Sequence, residues 1–454
     1  MADIRRTLLK NALPPMGPPG IPGSNRGNRG RGGLMGGRRD YTPASWKKYW
    51  DRSEDIALQG GDVFRVYRRG TVGPLLLLLH GGGYSALTWS LFAENVTEMV
   101  ECQVMAMDQR GHGDTHTTDD SDLSAEALAR DVGRVVEAVY EYDQPPCVLI
   151  GHSMGGAIAV HTAYHDHVAG LAGLVVIDVV EGTAMDALSS MQSFLRGRPQ
   201  KFNSLQNAIE WSVRSGQTRN AEAARVSMPG QVKNTETGCC GTADVESSID
   251  NNSHSQNQNQ EPSVTVRADV IPEEGGESDN GQVTEPTSTS VNENQLPIKK
   301  YTWRINLEET EKFWPGWFQG LSTKFLATSP AKMLLLAGID RLDTDLTVGQ
   351  MQGKFQMQVL PQCGHAVQED TPDRVAEVLA TFLLRQRLTR PKSEFHRWIL
   401  FTKDWLKVLY GTQGGLHFVG SLYGTVTQLY HEVISSIRDS ECRGAGVDII
   451  SLNY

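Results

Sequence analysis

Gly151-His152-Ser153-Met154-Gly155 has the spacing of a serine nucleophile carried on a tight turn. In such a turn a strand gives way so abruptly to a helix that the serine backbone is strained. Only small side chains then fit two residues before and after it, and glycines stand at both places. The flanks agree: Cys147–Ile150 is apolar and short like a buried strand, and the residues after Met154 are small, as in a closely packed helix. A glycine-rich turn with an incidental serine would share the motif but not both flanks. The chemistry implied is acyl transfer through the Ser153 hydroxyl. The backbone N–H of Met154, at the start of the predicted helix, is placed to stabilise an oxyanion.

The other parts of such a site are recognisable by position. Leu75–Leu79 runs into His80-Gly81-Gly82-Gly83, the arrangement that supplies the second oxyanion donor in lipases and esterases. Gly82 and Gly83 are both candidates, and His80 is expected to brace the loop. The base must come late in the chain. Of the 12 histidines, His365 follows the predicted strand Gln356–Leu360 and precedes the last helix. His161, His165 and His167 lie on or beyond the far end of the elbow helix. His112 belongs to a structural turn, His254 to a polar segment, and His152 is expected to shape the pocket. The acid must fall between nucleophile and base in sequence. Asp178, after Leu174–Ile177, and Asp340 or Asp343, after Lys332–Leu336, satisfy that order equally, so topology leaves them open.

Such residues need a parallel sheet to hold them. Val63–Arg68 alternates like an edge strand, Gln103–Met107 is a further strand, and Leu123–Tyr140 has helical period with Ser124 as N-cap. A final helix begins near Thr371 with Pro372 in its first turn. Strand and helix alternate, which predicts an α/β fold: a mostly parallel sheet with helices on both faces and a helical lid from about 182 to 233. One domain is expected over 41–233 and 299–387. Residues 1–40 form a basic Gly/Pro/Arg-rich tail, expected to be disordered. Residues 234–298 carry 12 acidic side chains against one basic and are nearly free of aromatics, which predicts a disordered insert. Residues 388–454 form an extension to which no role is assigned.

The 454-residue chain has a net charge of −10, concentrated in that insert, so neither a nucleic-acid face nor a membrane face is expected. No apolar run is long enough to span a membrane. Six cysteines show neither disulfide-framework nor zinc spacing, which points to a reducing cytoplasmic or nuclear compartment. No metal or organic cofactor is required, and a monomer is expected.

Longer stretches carry a resemblance. LLLLHGGG at 76–83, LIGHSMGGAIAVHTA at 149–163, IDVVEGTAMDAL at 177–188, SMQSFLRGRP at 190–199 and MQGKFQMQVLPQCGHAV at 351–367 resemble the protein phosphatase methylesterases, a family of α/β hydrolases. The resemblance implies a Ser–Asp–His triad with its acid in IDVVEG, which favours Asp178 over Asp340 and Asp343. It implies removal of the methyl ester from the C-terminal leucine of the protein phosphatase 2A catalytic subunit, and inhibitory binding to that enzyme. The acidic insert is longer than the family's, and the family pattern is lost beyond about Arg390. Two other readings are a small-molecule esterase or lipase, and a phosphatase-binding inhibitor that docks through the insert and the Trp303–Trp317 segment.

Overall fold

Leu75–Leu79 is the strand around which the rest is arranged. As β3 it is wholly buried, with Leu75, Leu77 and Leu79 in the apolar cluster on one sheet face and Leu76 and Leu78 in the cluster on the other. A computed structural model describes residues 39–141, 143–256, 300–338 and 342–392. The chain divides between Asp40 and Tyr41. The second unit contains an eight-stranded sheet. Its members are β1 (Arg52–Ala57), β2 (Val63–Arg69), β3, β4 (Gln103–Met107), β5 (Cys147–His152), β6 (Leu171–Ile177), β10 (Ala331–Leu336) and β11 (Gln356–Val359), in the order β1-β2-β4-β3-β5-β6-β10-β11. From β4 onward all pairings are parallel, whereas β1 with β2 and β2 with β4 are antiparallel. Val63–Arg69 is therefore not the edge. The edge is β1, whose sequence RSEDIA gives no apolar alternation because it is largely exposed.

Helices Ala125–Tyr140 and Met154–Tyr164 pack on one face, and Ser90–Met99 and Pro372–Arg385 on the other. Ser124 caps the first by accepting from Ala127 N at 3.3 Å, and Pro372 opens the last, both as expected. Val375, Leu379 and Phe382 of that last helix are buried against the sheet.

Between β6 and β10 the chain builds a cap. It contains helices Glu181–Arg196, Leu205–Ser215 and Ala221–Ser227, and a small antiparallel sheet of β7 (Lys201–Phe202), β9 (Tyr301–Trp303) and β8 (Val232–Asn234). The disordered insert was expected to start at Asn234, and here the structure differs. Asn234 lies in β8, and Gly241–Gln256 is a helix. Few of its residues are apolar, but Val245, like Cys240 just before the helix, is buried in the cap. Asp244 accepts hydrogen bonds from Tyr301 Oη at 2.5 Å and Asn234 Nδ2 at 2.9 Å. Thr242 Oγ1 donates to Asp114 at 2.7 Å, and Glu246 accepts from Ser45 Oγ at 2.6 Å. Long-range polar contacts hold this helix, and a composition argument does not see them. The rest of the insert, the tail before Arg39 and the extension after Lys392 lie outside the described residues, as does Asp340.

The Trp-rich segment turns two of its three indoles inward. Trp314 and Trp317 are buried in the main core, Trp317 Nε1 donating to Leu123 O at 2.7 Å.

Candidate active site

The parallel strands deliver four loops to one edge of the sheet, where their C-terminal ends meet. At the end of β5 the chain turns through Ser153, whose backbone has φ 53° and ψ −121°, a conformation costly for a residue with a side chain. The neighbouring glycines explain why nothing else fits. A Cβ on Gly151 would overlap Gly155 O, and one on Gly155 would overlap the carbonyls of Leu79 and His80. Ser153 N donates to Ile177 O at 2.9 Å, which ties the turn to β6.

One residue past β6 stands Asp178, also at positive φ, 52°. Its carboxylate is fully buried. Oδ1 accepts from Ala337 N, just past β10, at 3.0 Å, and Oδ2 meets His365 Nδ1 at 2.7 Å. His365 Nε2 lies 2.9 Å from Ser153 Oγ. The partners fix the tautomer: the proton sits on Nδ1, facing the carboxylate, and Nε2 is left to accept from the serine hydroxyl. Half of the imidazole remains open to solvent, at 47% exposure, so a substrate can reach it. Asp343 is elsewhere. It caps helix Thr344–Met351, accepting from Leu346 N at 2.9 Å and from Ser322 Oγ at 2.6 Å.

The oxyanion donors separate. Gly83 N donates to His112 Nε2 at 3.0 Å, so this N–H is already used and the expectation that it could serve an oxyanion is corrected. The acceptor is a neutral imidazole: burial pushes His112 down to about 4, and its Nδ1–H donates to Arg110 O at 2.9 Å. Gly82 N and Met154 N have no such partner among the described residues. His80 braces the loop as expected, its Nε2 accepting from Gln109 N at 3.0 Å while its backbone carbonyl accepts from Gln109 Nε2 at 2.7 Å.

Sequence reading did not assign two further contributions. His152 is buried and, through Nε2–H, donates to the backbone carbonyl of His365 at 2.8 Å, with ring centroids 4.7 Å apart. Burial pushes it down to about 3, and repulsion from His365 adds to this, so it stays a neutral brace for the base. The loop bearing His365 is also fastened by Asp370, which accepts from Gly364 N at 2.6 Å and from Arg219 N of the cap at 2.7 Å. His152 and Arg219 lie far in sequence from the loop they fasten, and nothing in the local pattern marks those contacts.

The model of the alpha/beta hydrolase family matches residues 76–244 and 261–378. Protein phosphatase methylesterase 1 of Mus musculus is 53% identical over 366 residues, covering 79% of this chain and 89% of that protein. The Homo sapiens protein of the same name has the same identity and the same shares. A probable protein phosphatase methylesterase 1 of Caenorhabditis elegans is 41% identical over 358 residues, covering 79% of this chain and 81% of its own.

Proposed function

From the premise that this chain belongs to the alpha/beta hydrolase family, among its protein phosphatase methylesterases, we propose that it removes a methyl ester from the C-terminal leucine of the protein phosphatase 2A catalytic subunit, using Ser153, His365 and Asp178. Family membership makes the chain a carboxylic ester hydrolase. The observation that carries the triad is the hydrogen-bonded line from Ser153 Oγ through His365 to Asp178, at 2.9 and 2.7 Å, beneath a nucleophile held at positive φ.

In this reading His365 Nε2 takes the Ser153 proton as Oγ attacks the ester carbonyl. Buried Asp178 holds Nδ1–H and stabilises the imidazolium that forms. The N–H groups of Met154 and Gly82 receive the oxyanion. The tetrahedral intermediate collapses, methanol leaves with the proton from His365, and an acyl-enzyme on Ser153 remains. Water, deprotonated by His365, then releases the free carboxylate. Methoxide leaves more readily than an amide nitrogen, so esterase action does not entail peptidase action. Inhibitory binding to the phosphatase is part of the same proposal, and with Trp314 and Trp317 in the core it does not run through them.

A fluorophosphonate probe tests the nucleophile. One adduct, on Ser153, is expected. An adduct on another serine, or none while esters are still cleaved, overturns the assignment.

A further inference from the structure

The cap holds a half-buried cation that no acid answers among the described residues. Arg198 lies in the turn after helix Glu181–Arg196, its backbone N–H donating to Leu195 O at 3.1 Å. Its guanidinium carbon stands 3.5 Å from the centroid of the Trp303 ring and 5.8 Å from that of Trp211. Trp303 is fixed in turn: Nε1 donates to Pro199 O at 2.7 Å, and the ring meets Phe202 and Trp211 edge-on at 5.3 and 5.4 Å. The guanidinium plane is thus pre-set by a rigid aromatic wall. Its Nε is sealed from solvent with no hydrogen-bond partner among the described residues. Burial pushes the group down to about 10, and the one opposing influence is the Tyr84 phenol.

Tyr84 connects this cation to the chemistry. It follows directly on the 80–83 loop, and its ring meets His152 edge-on at 5.6 Å. His152 in turn lies 4.7 Å from His365. The Arg198 guanidinium and the Tyr84 phenol act on each other's charge, and Tyr84 and His152 link that pair ring by ring to the base.

A desolvated guanidinium without a counter-ion is costly, and aromatic faces offset only part of that. A rigid planar fork suits a carboxylate, which it can meet through two parallel N–H···O bonds. The ester is neutral, and the oxyanion that forms on it has its own backbone donors. The anion that fits Arg198 must therefore belong to another part of the substrate. We propose that Arg198 is a specificity determinant that takes the side-chain carboxylate of an acidic residue lying upstream of the methyl-esterified C-terminus of a peptide substrate. This rests on Ser153 being an esterase nucleophile for a peptide ester.

The test uses the full chain and short peptides ending in leucine methyl ester, with one Asp at successive upstream positions and a matching Asn series. The wild type is expected to prefer Asp over Asn at one position by roughly ten- to hundredfold in kcat/KM, carried by KM, the worth of a charge-assisted pair. In Arg198→Met that ratio falls to about one. In Arg198→Lys, which keeps the charge and loses the fork, it lies between. A wild-type ratio near one at every position, or a ratio that survives in Arg198→Met, overturns the proposal. Tryptophan fluorescence gives a second readout, since Trp211 and Trp303 flank the guanidinium. Ser153→Ala should bind the Asp peptide ester more tightly than its Asn twin, and Ser153→Ala/Arg198→Met should not discriminate. If the wild type cleaves neither series, the nucleophile reading fails, and this binding comparison alone decides on Arg198.

Discussion

The sheet edge and the cap hold their polar groups on different terms. At the sheet edge Ser153, Asp178 and His365 are spaced by parallel strands, and the strands feeding Ser153 and Asp178 have wholly buried ends. Each of the three polar groups hydrogen-bonds its neighbour. In the cap, short helices and a small sheet surround a modest apolar cluster, and Arg198 is held by aromatic faces with no acid opposite it among the described residues. A site complete without substrate suits chemistry, whose geometry must be set beforehand. A charge left open suits recognition, where the missing partner arrives with the ligand. Rate should therefore follow changes at the sheet edge, and substrate choice should follow changes in the cap.

The largest expected effect is at the nucleophile. Ser153→Ala should lower kcat for a small ester by on the order of 10⁵–10⁶-fold with the fold retained, measured by initial rates and circular dichroism. Asp178→Asn should lower it by on the order of 10⁴-fold, because the amide favours the wrong imidazole tautomer. Asp343→Asn should stay within a few-fold of wild type, since asparagine caps a helix about as well as aspartate. If Asp343→Asn were the crippled variant and Asp178→Asn the active one, the acid would not be at the end of β6.

How far this could be read from the sequence follows the same division. Ser153 was legible because its signal is local: a strand, two flanking glycines and a helix within a dozen residues. His365 was legible from chain order. The acid was not, because β6 and β10 are parallel neighbours and chain order admits an aspartate after either. The resemblance favoured Asp178, and the structure seats its carboxylate against His365. Gly82 and Gly83 could not be told apart, since what occupies Gly83 N–H is His112, which lies 29 residues away. Composition misplaced the start of the insert because helix Gly241–Gln256 is polar and is anchored by partners as distant as Ser45 and Tyr301. The edge strand β1 was missed for a related reason, as its exposed residues show no apolar alternation.

Smaller effects sharpen the boundary between the two regions. Replacing 257–295 with a Gly/Ser linker should change stability by no more than about 0.5 kcal/mol and leave small-ester hydrolysis near normal. Starting the replacement at residue 240 should cost about 1–3 kcal/mol in chemical denaturation, since it removes buried Cys240 and Val245 with their neighbours' hydrogen bonds. Equal stability of the two deletions would mean that the helix contributes nothing to the cap.

Glu369 sits on the boundary itself. It accepts hydrogen bonds from Thr88 Oγ1 on the sheet side, at 2.6 Å, and from Thr218 Oγ1 of the cap. Burial raises its carboxyl from 4.5 to about 7. The folded state thus holds the proton more tightly than the unfolded chain. Its stabilising contribution is complete below about pH 4.5 and is lost as pH rises through about 7. Glu369→Gln should flatten that part of the stability–pH curve, a change on the order of 1–3 kcal/mol across the window. Denaturant titrations at several pH values would detect it, and an unchanged curve would show that Glu369 is ionised throughout.

The central claim is that the Ser153 line demethylates a protein C-terminus, and mass spectrometry of the C-terminal peptide of carboxymethylated protein phosphatase 2A tests it most directly. The wild type should convert the leucine methyl ester to the free acid, with the mass falling by one methylene, and Ser153→Ala should leave the ester intact under the same conditions. A peptide that stays methylated while the same enzyme cleaves a small ester, or one that Ser153→Ala demethylates at the wild-type rate, would contradict it.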